Sequence, residues 1–168
     1  MIVLQNYYEK VVKYDFINKF FYSDLNKIPK LKKVILFLKY KKFNLKQIKF
    51  GLVAIELITT KPVFLTKSKR SDIFLKVLKN QPINYIIALQ KHQIYSFIFK
   101  LLIEVLSNFK IYNYSFVLFK TFLTFKEFEK HFYLFADLPR LKIILATNTN
   151  NDKELLYLFS SFKLVDQS

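Results

Sequence analysis

The sequence predicts an α+β fold, with an antiparallel-rich sheet and helices packed against one face, in a single domain over residues 1–168. Three observations carry this reading. Apolar residues recur at helical spacing in four separate stretches, and apolar runs of strand length lie between them. Strands and helices alternate irregularly with several short connections, which suits helices laid on an antiparallel sheet better than repeated strand–helix–strand units. The 168 residues, 52% of them hydrophobic, suffice for one substantial core.

Tyr8, Val12, Phe16 and Phe20 recur at i+4, with Val11 and Ile17 beside them, and predict an amphipathic helix over 5–22. Lys10, Lys13 and Lys19 fall off that stripe. Ile28-Pro29 forces an extended lead-in, and 30–38 reads as a strand on the apolar run Val34 to Leu38. Its flanks are basic: Lys30, Lys32 and Lys33 before it, Lys39, Lys41 and Lys42 after it. Those lysines suit an anionic partner, with the protection of a sheet edge as the alternative. Leu45, Ile48, Leu52, Ile55 and Ile58 predict a second helix over 44–59. Gly51, the only glycine, sits inside it at a cost of about 1 kcal/mol relative to Ala, so a close-packing role is the alternative to drift.

Residues 61–91 then read as a strand, a basic loop and a second strand. Val63 to Leu65 and Tyr85 to Leu89 are the apolar runs, and six residues between them combine Lys67, Lys69 and Arg70 with Thr66, Ser68 and Ser71. Clustered cations neutralise phosphates and hydroxyls donate to their oxygens, so a nucleic-acid backbone fits. A solvated hairpin loop fits the same composition. Ile94, Phe97, Leu101 and Val105 predict a third helix over 94–108, and 114–125 reads as a strand apolar on both faces. Residues 141–147 read as another strand. A polar turn follows, where Asn151 or Asp152 caps a last helix carrying Leu155, Leu158, Phe159 and Phe162.

Charge narrows the function. The formal net charge is +16, and it is uneven: residues 1–100 hold 20 Lys and Arg against 5 Asp and Glu, whereas 101–168 hold 8 against 7. This implies a polyanionic partner, either nucleic acid or an anionic membrane surface. The cations are almost all Lys, which favours salt-dependent phosphate contact over bidentate base readout. Abundant Phe, Ile, Lys, Asn and Tyr with one Gly and no Trp indicate an AT-rich coding genome, as in an organelle.

Enzymatic chemistry has little to stand on. Cysteine is absent, so there is neither a disulfide framework nor a thiolate metal site. His92 and His131 are the only histidines and share no metal-ligand spacing, and one glycine cannot build a phosphate-cradling loop. No cofactor or metal is expected. Met1 to Leu4 is apolar, but Glu9 and Lys10 come too early for a signal-peptide core. The apolar stretch 94–106 is broken by Lys100 and Glu104, short of a membrane span.

Lys61-Pro62, then Thr66, Lys67, Lys69, Arg70 and Ser71, then Pro82-Ile83, Leu89, Tyr95, Phe97 and Leu101 follow an order that resembles large-subunit ribosomal protein five, the universal family at the central protuberance. The bacterial form has Lys-Pro, Thr-Lys-Ala-Arg-Lys-Ser, a loop ending Tyr-Pro-Ile-Gly, a Val-Thr-Leu-Arg-Gly strand and an apolar helix. Tyr7-Tyr8 with Val11-Val12, Ile28-Pro29-Lys30-Leu31, Asn113-Tyr114-Ser115 and the closing stretch 141–162 extend the likeness over most of the chain. Departures are clear. The Gly-Val-Gly-Glu-Ala turn is replaced by 39–44, loop glycines by Phe74, Asn80 and Asn84, and the strand-end Arg-Gly by Gln90-Lys91. A glycine-rich basic loop shrinks to Lys110-Ile111-Tyr112.

The resemblance implies a non-catalytic protein of an organellar ribosome, mitochondrial in the first instance, with a plastid or an AT-rich bacterial cytoplasm as alternatives. It implies binding to large-subunit rRNA, and to 5S rRNA where one exists, through Lys30, Lys32, Lys33, Lys39, Lys41, Lys42, Lys61, Thr66, Lys67, Lys69, Arg70 and Ser71. It further implies a loop facing P-site tRNA that includes Phe74, Lys76, Lys79, Asn80, Gln81 and Pro82. A small-subunit head protein and neighbouring large-subunit proteins complete the implied partners. The competing classes are a peripheral membrane-surface protein with a basic face and a generic interaction module.

Overall fold

The computed structural model describes residues 3–40, 44–71, 78–104, 110–112, 115–120, 122–149 and 151–164. In chain order the helices are α1 (Val3–Tyr7), which runs through a π-helical turn (Tyr8–Val12) into α2 (Lys13–Phe20), α3 (Leu45–Thr59), α4 (His92–Glu104), α5 (Phe132–Phe135) and α6 (Asp152–Ser161). The strands are β1 (Leu31–Lys39), β2 (Phe64–Lys67), β3 (Pro82–Leu89), β4 (Lys110–Tyr112), β5 (Ser115–Lys120) and β6 (Leu141–Thr147), in the sheet order β2-β3-β1-β6-β5-β4. The hairpins β2–β3 and β4–β5 are both antiparallel. The α+β class with an antiparallel sheet is therefore borne out.

Contacts sort the chain into two compact units, one of residues 1–34, 89–117 and 145–168 and the other of 35–88 and 118–144. In the first, the helical stripe read from the sequence is the buried one: Val12 and Phe16 are fully buried and Tyr8 nearly so. Its aromatic rings interlock, with Phe16 edge-on to Tyr157 at 4.9 Å and Tyr8 stacked near Phe162 at 6.2 Å. The Tyr8 hydroxyl donates to the Pro29 carbonyl at 2.8 Å, which ties the helix to the lead-in of β1. Asn148 fixes the same lead-in from the other side. Its Oδ1 accepts from the Lys30 N–H at 2.6 Å and its Nδ2 donates to the Ile28 carbonyl at 3.1 Å.

In the second unit, side chains alternate by strand period: Leu36, Leu38, Tyr85, Ile87 and Ile143 are buried, while Ile35, Phe37, Ile86 and Ile144 are half-buried. Helix α3 lies on the buried side. Asn44 caps it by accepting from the Lys46 N–H, and Ile48, Gly51, Ala54, Ile55 and Ile58 form its buried face. The Tyr85 hydroxyl donates to the Ile48 carbonyl at 2.7 Å, and Tyr40 donates to that of Gln47 at 2.8 Å. A Cβ on Gly51 would lie 1.7 Å from the Tyr40 hydroxyl oxygen, so the sole glycine is where a strand-end tyrosine meets the helix.

Three expectations change. The strand read over 114–125 spans only Ser115–Lys120, and Phe122–Thr124 is a 3₁₀ turn. A longer 3₁₀ segment (Lys126–His131) and α5 follow, where no helix was expected. Residues 110–112, read as a shortened loop, form a strand. The third helix is described to Glu104, and the remainder of its expected span to 108 lies outside the described residues.

Candidate nucleic-acid interface

The basic hairpin is the feature that clusters charge on a defined scaffold. Strand β2 sits at the edge of the sheet and pairs Phe64 with Ile86, Leu65 with Tyr85 and Thr66 with Asn84. At the next step Lys67 faces Pro82, so the ladder slips by one residue in a bulge. Bulges raise the local twist and re-aim side chains at a strand end, here where the cations begin. Beyond the bulge a hydrogen-bonded neck closes the hairpin: the Ser68 N–H donates to the Gln81 carbonyl at 2.9 Å, and the Asn80 N–H to the Ser68 carbonyl at 3.0 Å. The Ser68 hydroxyl donates to the Leu78 carbonyl at 2.5 Å, and the Gln81 Oε1 accepts from the Leu78 N–H at 2.9 Å.

Lys67, Lys69, Arg70 and Ser71 emerge exposed on one side of this neck and Lys79 on the other. Lys61 is half-buried after α3. No acidic residue occurs from Lys61 to Ser71, so nothing in that stretch neutralises its four cations. The Thr66 hydroxyl donates to the Asn84 carbonyl at 3.2 Å, which leaves its lone pairs, not its proton, for a ligand. Asn80 holds a left-handed φ of 69°, a conformation Asn tolerates better than most residues. Asn80 and Gln81 therefore shape the neck, and Pro82 opens β3 half-buried.

The remaining residues of interest divide. Lys39 is exposed at the end of β1 in the second unit, with the hairpin. Lys30, Lys32 and Lys33 are exposed in the first unit. Lys41, Lys42, Phe74 and Lys76 lie outside the described residues. Periodicity gave no sign that Phe64 would stand 73% exposed, because an apolar run in an edge strand reads like one in the core. Nor did it mark Asn148, whose role rests on a contact 118 residues away in sequence.

Rival chemistries find no assembly. Among the described residues no group of three His, Cys, Asp or Glu is placed to hold a metal ion. His92 and His131 are both exposed, on different elements. No described helix is long and apolar enough to cross a membrane.

No protein-family model matches the chain. It is 29% identical to large ribosomal subunit protein uL5m of Reclinomonas americana over 174 aligned residues, covering 96% of each chain. It is 32% identical over 101 residues to large ribosomal subunit protein uL5 of Clostridium botulinum, covering 59% of this chain and 56% of that one. The same protein of Clostridium tetani matches with equal identity and coverage. The chain is thus similar to uL5 proteins, to uL5m along nearly its whole length. That full-length likeness is to an organellar, mitochondrial version of the protein. Asn80 in the hairpin neck and Lys91 before α4, where the resembled bacterial form has glycine, both hold a left-handed backbone, with φ of 69° and 54°.

Proposed function

We propose that the chain is a structural, non-catalytic component of the mitochondrial large ribosomal subunit, whose β2–β3 hairpin grips large-subunit rRNA. Lys67, Lys69 and Arg70 are the phosphate clamp, held at the bulge and neck, and Lys61 and Lys39 add to the field. The observation that carries this reading is the set of four cations from Lys61 to Ser71, with no acid among them, built on a hydrogen-bonded neck. Lysines dominate, so the grip is electrostatic and sequence-tolerant, released steeply by salt.

Finer partners follow from the resemblance to uL5. The segment from Ser71 to Pro82 is the part that meets P-site tRNA, with Lys76 and Lys79 as its cations. The chain lies at the central protuberance, touches 5S rRNA where the ribosome has one, and contacts a small-subunit head protein. The test is sedimentation with the large subunit. Wild type co-sediments, whereas Lys67→Glu/Lys69→Glu/Arg70→Glu dissociates at a salt concentration that leaves wild type bound. Undiminished association of that variant would remove the hairpin from the interface.

A further inference from the structure

We propose that Phe64 is a stacking platform for an unpaired RNA base, so that the hairpin's ligand is RNA with a splayed nucleotide and not an uninterrupted duplex. This rests on the reading of the hairpin as an rRNA grip and names the kind of RNA it takes. Phe64 is 73% exposed, in contrast to Phe125, Phe128 and Phe159, which are fully buried. It lies on β2, the edge strand of the sheet among the described residues, and is paired with Ile86, whose half-buried side chain flanks it. Alternate residues share a face, so Phe64 stands with Thr66, opposite Ile86 and Asn84.

The surroundings select the occupant. Lys67 is three residues along the strand, about 10 Å away, a span that a lysine stem and one nucleotide bridge together. Lys69 and Arg70 continue the cationic line, and no Asp or Glu occurs from Lys61 to Ser71. The Asn84 side-chain oxygen is buried without a hydrogen-bond partner, on the face that carries Phe64. A base amine or ribose hydroxyl brought to this face is the donor it lacks, after a small turn of the amide. A regular A-form helix offers neither a free base face nor a groove a phenyl ring can enter, whereas a looped-out base offers both its π-face and its edge.

The chain has no tryptophan, so Phe64→Trp creates a single fluorophore at the platform. The full chain carrying it is titrated with a single-stranded 12-nucleotide oligouridylate and with a blunt 12-base-pair RNA duplex, both at low salt. Single strand is expected to quench the emission more than twofold, and duplex to leave it nearly unchanged at equal occupancy. Separately, Phe64→Leu should weaken single-strand binding about 10-fold and duplex binding less than twofold, with Phe64→Tyr restoring the former. Circular dichroism checks that these variants of an exposed side chain stay folded. Unquenched emission at saturation, or a Phe64→Leu loss equal for both RNAs, overturns the platform. If that happens while the triple Glu variant still abolishes binding, only the stacking proposal falls; if neither RNA binds wild type, the rRNA grip falls with it.

Discussion

Replacing Gly51 with Ala sets two effects of known sign against each other. Inside a helix, Ala is better than Gly by about 1 kcal/mol. Against that, the added Cβ would sit 1.7 Å from the Tyr40 hydroxyl oxygen and 3.0 Å from both Tyr40 Cζ and Leu38 Cδ2. Restoring van der Waals distance requires the hydroxyl to retreat by about 1.5 Å or more. Tyr40 is only 2% exposed, its ring packs edge-on to Tyr85 at 5.9 Å, and its hydroxyl donates to the Gln47 carbonyl at 2.8 Å. Retreat therefore breaks a buried hydrogen bond, worth about 1–3 kcal/mol when the group is left unpaired. It also forces the side chain off its rotamer at about 0.5–1.5 kcal/mol.

The clash wins, and Gly51→Ala is expected to destabilise by about 2 kcal/mol, or roughly 4–8 °C in Tm. The mechanism has a sharper consequence than the sign. Tyr40→Phe removes the offending oxygen at a cost of about 1 kcal/mol, leaving contacts that need to yield only by tenths of an ångström. In that background Gly51→Ala should be neutral or stabilising, a coupling of about 2 kcal/mol between the two positions. Urea unfolding of the four proteins, followed by circular dichroism, measures the cycle. Additive effects, or a Gly51→Ala single variant at least as stable as wild type, would refute the packing account.

Other expectations follow from the same physical terms. Lys91 (φ 54°) and Phe21 (φ 53°) hold left-handed backbone conformations without being glycine, so Lys91→Gly and Phe21→Gly should each stabilise by about 0.5–1 kcal/mol in thermal unfolding. Asn148→Ala removes side-chain bonds to Lys30 and Ile28 and should cost about 2 kcal/mol by urea unfolding, whereas Lys30→Ala, which keeps the backbone bond, should cost little. Burial, and then the charge of Glu56, push Tyr85 up to about 12, above the roughly 10 of an unfolded tyrosine. Its contribution is complete below pH 10 and is lost between pH 10 and about 12, by about 1.4 kcal/mol per pH unit. Urea midpoints taken from pH 9 to 11.5 should fall less steeply for Tyr85→Phe than for wild type.

What the sequence disclosed and what it hid have physical causes. Helices α3, α4 and α6 and strands β1 and β6 were legible because their apolar period matches the structure they form. The first helix was legible as a whole, yet its π turn was not. Tyr8, Val12 and Phe16 are spaced by fours, a spacing that an ordinary α-helix also keeps on one face, so periodicity gave no sign of it. The π turn at Tyr8–Val12 winds more slowly over that interval, and all three stay buried. Residues 122–125 were misread because Phe122, Leu123 and Phe125 continue the loose apolar alternation before them and mimic a two-faced strand. The buried pair is instead Phe125 and Phe128, three apart, the repeat of a 3₁₀ turn, and Phe128 then meets Phe135 at 4.6 Å. For the interface, cationic residue type was readable, but exposure was not. Phe64 and Leu65 sit in a run that would be core in a central strand and is surface only because β2 is an edge.

The fate of glycine separates two demands that sequence comparison alone runs together. At Asn80 and Lys91 glycine's absence leaves the backbone path intact, with φ of 69° and 54°. A left-handed L-residue costs about 1–2 kcal/mol, and neighbouring bonds hold the path: the Asn80 N–H donates to the Ser68 carbonyl at 3.0 Å, and Lys91 accepts from the Ile94 N–H at 3.2 Å. A dihedral preference is thus a cost that surrounding structure offsets. At Gly51 the demand is for volume, since the space of a methyl group already holds the Tyr40 hydroxyl. No local adjustment offsets an occupied volume without moving the ring, and this is where the only glycine remains. Gly51 therefore stands where an atom excludes its replacement, whereas Asn80 and Lys91 stand where only an angle is unusual. The hairpin neck, which needs only angles, keeps its shape and its cations without glycine.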